Sequence, residues 1–77
     1  MMSMEQFEQK RQFVTRELSR CIAAAYEGVS RLEYKYHDGG EESVIIRFDN
    51  GYIKTENVTG DSLHAIMIDV LRALVEV

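Results

Sequence analysis

The 77 residues contain only three histidine and cysteine side chains, the residue types that most often bind zinc or act as nucleophiles. The histidines are His37 and His64, and the single thiol is that of Cys21. A structural zinc site needs four such ligands at paired short spacings, and nothing in the sequence brings these three together. We therefore expect no metal site and no cofactor. Cys21 is expected to act as a small buried hydrophobic residue of a helix.

Two glycine-containing acidic segments, residues 38–40 (Asp-Gly-Gly) and 49–51 (Asp-Asn-Gly), have the composition of phosphate or calcium loops. Neither has the ligand spacing of an EF-hand or the strand-to-helix setting of a P-loop. Turns between strands explain both segments fully. The neighbouring Glu41 and Glu42 are expected to keep the first turn solvated. No catalytic constellation and no small-molecule site is evident, so we do not expect an enzyme.

A basic group with one aromatic residue is the remaining chemical feature, and it is expected on one face of a sheet. Its members are Lys35, Arg47, Tyr52 and Lys54. Basic side chains around an aromatic ring are typical of platforms for single-stranded nucleic acid. Glu33 and Glu56 are expected among them, and a net charge of −4 opposes phosphate binding. Nucleic-acid binding is therefore the alternative hypothesis rather than the leading one.

The segment from residue 31 to residue 58 must position these side chains, and its pattern predicts three antiparallel strands. Residues 31–37 alternate apolar and polar, which is typical of a half-buried strand. Residues 43–48 are rich in β-branched and aromatic side chains, and residues 52–58 form the returning strand. A three-residue loop at 39–41 and a two-residue Asn-Gly turn at 50–51 are expected to join them.

These turns predict which side chains face each other. Tyr36 would lie opposite Val44, Tyr34 opposite Ile46, Leu32 opposite Phe48, Glu33 opposite Arg47, Phe48 opposite Ile53, and Ile46 opposite Thr55. The predicted core face consists of Leu32, Tyr34, Tyr36, Val44, Ile46, Phe48 and Ile53. Ile45 and Tyr52 would lie on the open face among the charged residues.

A first helix is expected between a capping box at Ser3 and Gln6 and a stop at Gly28. Its predicted apolar stripe is Met4, Phe7, Val14, Leu18, Cys21, Ile22 and Ala25. A helix of this length would extend roughly two turns beyond the sheet and expose Phe7. Phe13 lies off the stripe and is expected to be exposed, which makes both phenylalanines candidates for contact with another chain.

A second helix is expected after Thr59 or Asp61, either of which could cap it. Its predicted core stripe is Leu63, Ile66, Met67, Val70, Leu71 and Leu74. His64, Ile68 and Val75 widen the apolar arc, which we interpret as a helix that touches both the sheet and the first helix.

The sequence thus predicts one α+β domain over residues 1–77 with two layers in the order αβββα. A three-stranded antiparallel meander, in the order 1-2-3, would carry both helices on one face. The leading hypothesis is a small non-enzymatic interaction or accessory module that forms a homodimer or binds another protein, with contact residues Phe7, Phe13, Ile45 and Tyr52. The single cysteine and the lack of a spanning apolar run favour a cytoplasmic protein without a membrane partner.

Overall fold

The computed structural model describes residues 2–75 and confirms the predicted α+β class and element order. The first helix runs without interruption through α1, a π-helical segment and α2. The elements are α1 (Met4–Gln12), the π-helical segment (Phe13–Leu18), α2 (Ser19–Ala25), β1 (Val29–Tyr36), β2 (Glu42–Phe48), β3 (Ile53–Asn57) and α3 (Leu63–Val75). The sheet is antiparallel with the order β1-β2-β3, as predicted.

One hydrophobic core joins both helices to the same side of the sheet. Its buried side chains are Val14, Leu18, Ile22, Val29, Leu32, Tyr34, Val44, Ile46, Val58, Ile66, Val70, Ala73 and Leu74. The first helix packs mainly against β1, and α3 lies closest to β3. We call the covered side of the sheet the helix side and the other side the open face.

The first hairpin has the predicted faces but different partners. Tyr34 lies opposite Val44 and Leu32 opposite Ile46, a shift of two residues from the prediction. The loop is residues 38–40 rather than 39–41, closed by a 2.8 Å hydrogen bond from the backbone N–H of His37 to the carbonyl of Glu41. Because side chains alternate with a period of two, a two-residue shift leaves every side chain on its predicted face.

The second hairpin is shifted by one residue, which has a larger effect. Residues 49–51 form a three-residue loop instead of a two-residue turn, and the backbone N–H of Phe48 donates to the carbonyl of Tyr52 at 3.0 Å. A one-residue slip sends every side chain of the returning strand to the opposite face. Ile53 therefore lies on the open face with 46% of its surface exposed, and its predicted place in the core was wrong. Lys54 and Glu56 lie on the helix side.

The capping box at Ser3 and Gln6 is present, but the helix ends at Ala25, before the predicted stop at Gly28. The π-helical segment was not predicted. Because a π-helical turn holds more residues than an α-helical one, it rotates the apolar stripe. Phe13 packs against the core instead of being exposed, and Cys21 is exposed instead of buried.

The first helix does not extend two turns beyond the sheet. β1 begins at Val29, earlier than expected, and the ring of Phe7 lies 5.9 Å from Tyr34 and 6.1 Å from Tyr36 between centroids. Only the start of the helix projects, where Met4 is 81% exposed. Phe7 therefore packs over the far end of β1 rather than past it.

The α3 helix is capped by Ser62, whose hydroxyl accepts from the backbone N–H of Ala65 at 3.2 Å. The predicted caps serve elsewhere: the hydroxyl of Thr59 accepts from the backbone N–H of Glu42, and the carboxyl of Asp61 adjoins Asp69. Of the predicted core stripe, Ile66, Val70 and Leu74 are buried, and Met67 and Leu71 are partly buried against the core. Among residues 2–75, no helix has the length and apolarity to cross a membrane.

Candidate interaction surfaces

The structure does not bring the predicted basic group together. Lys35 and Arg47 lie on the open face, whereas Tyr52 and Lys54 belong to the helix side. Arg47 Nε donates to Glu33 Oε1 at 2.6 Å. Lys54 Nζ donates to the carbonyl of Ala73 at 2.9 Å. The one-residue slip of β3 therefore divides the four residues of the predicted nucleic-acid platform between the two faces of the sheet.

The four predicted partner-contact residues have different surroundings. Phe7 and Phe13 are half-buried and pack against the core. Tyr52 is 56% exposed and places its ring 5.5 Å from that of Phe48 at one end of the sheet. Ile45 is half-buried in the middle of the open face. The four residues therefore form no continuous surface.

The open face is dominated by paired charges. Glu33 lies between Arg47 and Arg31, whose guanidinium is 3.6 Å from the carboxylate. The hydrogen bond from Arg47 is the largest influence on Glu33 and lowers its pKa. With its charges paired in this way, the open face offers little basic surface for a polyanion.

A buried carboxylate, that of Glu42, is the main polar feature that the sequence analysis missed. Its residue is only 4% exposed, although it was expected to be solvated. Glu42 begins β2 on the helix side, so its side chain points under the first helix. Oε1 accepts from Lys10 Nζ and from the Tyr34 hydroxyl, both at 2.7 Å, and Oε2 accepts from the backbone N–H of Gly60 at 2.9 Å. Three separate elements therefore meet on this carboxylate.

Electrostatics keep this carboxylate ionised. Burial opposes its ionisation and is the largest single influence, but the hydrogen bonds from Lys10, Tyr34 and Gly60 together lower the pKa of Glu42. Burial, and then the hydrogen bond to Glu42, raise the pKa of the Tyr34 hydroxyl. Above the pKa of Glu42, the tyrosine hydroxyl is therefore the donor and the glutamate carboxylate the acceptor. We call Lys10, Tyr34, Glu42 and Gly60 the polar lock, because their hydrogen bonds join the first helix, the sheet and the loop before α3.

Next to this lock, the carboxyl groups of Asp61 and Asp69 adjoin each other. Burial, and then the hydrogen bond and charge of Asp69, raise the pKa of Asp61 to about 6. Asp61 Oδ2 is buried without a hydrogen-bond partner among the described residues. Two adjoining carboxyl groups can share a hydrogen bond only when one of them is protonated. Within residues 2–75, no three histidine, cysteine or acidic residues are grouped to hold a metal ion.

The second missed feature is the outer flank of α3, which we define as Ile68, Leu71, Arg72 and Val75. These residues line a shallow groove of about 300 Å³, and Val75 is 77% exposed. The sequence signal was the wide apolar arc of this helix. Contact with the first helix does not account for that arc, because Asp61, in the loop before α3, lies beside Lys10 of α1 and adjoins Asp69, so the nearest side of α3 is acidic.

Comparison with protein families, with curated protein sequences and with solved structures gives no match for this chain. Its function must therefore be argued from its own surfaces.

Proposed function

We propose that this protein is a small non-enzymatic interaction module that self-associates in a reducing compartment such as the cytoplasm. The observation that carries the proposal is the outer flank of α3. This helix has two apolar stripes, and the described chain buries only one of them. A helix that is apolar on most of its circumference is typical of helices that are covered on several sides.

The energetics favour covering this flank. Complete burial of an exposed aliphatic side chain contributes about 1.5–3 kcal/mol. Val75 is exposed and gains most from a cover, whereas the adjacent Ile68 and Leu71 are half-buried and gain only part of this. A domain of 77 residues has a small core and gains proportionally more from such burial than a large one. The buried polar groups around Glu42 hold the fold together and are not offered to a substrate, which supports a role without catalysis.

Sedimentation equilibrium over the micromolar range tests the proposal. We expect a reversible dimer whose dissociation increases in an Ile68→Lys variant, because the lysine would have to be desolvated at the contact. A chain that sediments as a monomer at every concentration would contradict self-association.

The matched control is Ile45→Lys, the same substitution at a half-buried position on the open face. If the α3 flank is the contact, this variant retains the dissociation constant of the wild type. If Ile45→Lys dissociates the dimer and Ile68→Lys does not, the contact lies on the open face, as the sequence first indicated.

A further inference from the structure

The outer edge of β3 is open, in contrast to the outer edge of β1. At β1, the backbone N–H of Leu32 donates to the buried hydroxyl of Ser19 at 2.9 Å, so the first helix covers that edge. At β3, Thr55 is exposed, and its backbone groups have no hydrogen-bond partner among residues 2–75. An exposed edge strand is a template for pairing with another strand.

The hydrogen-bond pattern fixes which backbone groups of β3 are available. Phe48 bonds to Tyr52 and Val58 bonds to Glu42, so the hydrogen-bonded pairs of this ladder alternate from those two positions. The N–H and C=O groups of Lys54 and Glu56 therefore point toward β2. Those of residues 53, 55 and 57 point outward, away from the sheet.

The side chains of β3 are complementary to a second copy of the same strand. In an antiparallel pair centred on Thr55, the outward-pointing residues bond to each other, and Lys54 of one strand lies opposite Glu56 of the other. This is a non-hydrogen-bonded position, where opposing Cα atoms are only about 4.5 Å apart and opposite charges stabilise the pair. Self-pairing in this register places one such charge pair on each side of the two-fold axis.

The α3 helix lies closest to β3, and Lys54 Nζ donates to the carbonyl of Ala73 in this helix. Asp61 lines a groove with Lys10 of the first helix, and its carboxyl adjoins that of Asp69 on α3. At 3.6 residues per turn, Ile68, Leu71 and Val75 lie roughly 100–160° around the helix from Asp69. The flank therefore faces away from the side of α3 that carries Asp69, and so away from the first helix. A two-fold axis perpendicular to the sheet at Thr55 would bring the flanks of both copies toward each other.

We propose that two copies pair through their β3 edges with Thr55 at the two-fold axis, so that Lys54 of each subunit faces the partner subunit's Glu56 and the two α3 flanks cover each other. This inference rests on the proposed self-association and specifies its surface and register. It joins two three-stranded sheets into one of six strands with all helices on one side.

Charge reversal tests the register. Lys54→Glu and Glu56→Lys each place like charges at both pairs, and each should weaken dimerisation at least tenfold in sedimentation equilibrium. An equimolar mixture of the two single variants restores opposite charges at both pairs, so heterodimers should form with near wild-type affinity. The double variant Lys54→Glu/Glu56→Lys should dimerise on its own for the same reason.

Two checks distinguish a loss of dimerisation at this interface from a loss of folding. Circular dichroism of each variant reports the fold, and Glu56→Lys leaves the hydrogen bond between Lys54 and Ala73 untouched. In a Cys21→Ser background, Thr55→Cys should form a disulfide-linked dimer on oxidation, because opposing Cα atoms in such a pair are about 5.5 Å apart. Lys35→Cys, on the far strand, should not.

The outcomes distinguish the inference from the proposed function. If the wild type dimerises but the single charge reversals leave its affinity unchanged, or the mixture restores nothing, the β3 register is wrong and self-association stands. A wild type that is monomeric throughout removes both, and the lysine of β3 then serves only to keep the edge from pairing.

Discussion

Replacing Glu42 by glutamine tests the polar lock most directly, because the shape of the side chain is kept and only the charge and one acceptor are lost. Oε1 serves Lys10 and Tyr34, while Oε2 serves the backbone N–H of Gly60. Whichever way the amide is turned, its NH₂ group meets a donor. We therefore expect Glu42→Gln to lower the free energy of unfolding substantially.

The magnitude follows from the burial of the ion pair. The side chains of Lys10 and Glu42 are 16% and 5% exposed, so removing one charge leaves the other nearly uncompensated. Breaking a buried pair in this way costs about 3–5 kcal/mol, and the partial exposure of Lys10 places the value near about 3 kcal/mol. A chain of this size has a total stability of roughly 4–12 kcal/mol, so the loss is a large fraction of it.

Urea unfolding followed by circular dichroism, at one protein concentration for all variants, measures the effect. The matched control is Glu41→Gln, which removes an exposed carboxylate one residue away and should change the free energy of unfolding by less than about 0.5 kcal/mol. In a double-mutant cycle, Lys10→Met combined with Glu42→Gln should cost clearly less than the sum of the single changes.

Acid adds a second readout. The folded pKa of Glu42 is lowered from 4.5, so its contribution is present above that pH and is lost as the pH falls through the folded pKa. The difference in the free energy of unfolding between the wild type and Glu42→Gln should therefore become smaller in acid. Equal stabilities for the Glu42→Gln and Glu41→Gln variants at neutral pH would refute the lock.

Two further changes test the neighbouring loop and the first hairpin. The pKa of Asp61 is raised from 3.8 to about 6, so its contribution to the free energy of unfolding is lost as the pH rises through that value. Asp61→Asn should therefore stabilise the protein at pH 8 by about 1 kcal/mol, which is a ceiling of about 3 kcal/mol discounted for partial exposure. A wild-type free energy of unfolding that stays constant between pH 4 and 7 would contradict this. Gly40 has a φ of +90°, so Gly40→Ala should lower the thermal midpoint by the equivalent of about 1–2 kcal/mol. Gly39→Ala, where φ is not positive, should be neutral or slightly stabilising, and equal midpoints for the two variants would show that the turn tolerates a side chain.

The sequence predicts the element order and the helix side of β1 and β2 correctly because both depend on alternation, which survives an even shift in pairing. It fails at β3, where the Asn-Gly pair at residues 50–51 is a strong signal for a two-residue turn. In the structure Asp49 joins that pair in a three-residue loop with Gly51 at a positive φ of 89°. The first hairpin has the same loop form at residues 38–40, ending in Gly40.

The candidate surfaces were hidden for related physical reasons. Adjacent glutamates look alike in sequence, but strand alternation exposes Glu41 and buries Glu42, and only the tertiary placement of Lys10 and Gly60 makes that burial favourable. The π-helical segment has no composition signal of its own, and it moves Phe13 into the core and Cys21 out of it. Local patterns cannot report contacts that depend on the rotation of a helix around its axis.

The same one-residue slip that separates the residues of the predicted nucleic-acid platform also sets the charge pattern along the outer edge of β3. With the predicted register, Lys54 and Glu56 would lie on the open face, far from α3, and Ile53 would be buried. With the observed register, the two charges flank the outward-pointing Thr55 on the helix side, directly beneath a helix whose outer flank is apolar. One turn therefore decides which face of the sheet carries Lys54 and Glu56, and charge reversal at these two residues tests whether their placement serves self-pairing.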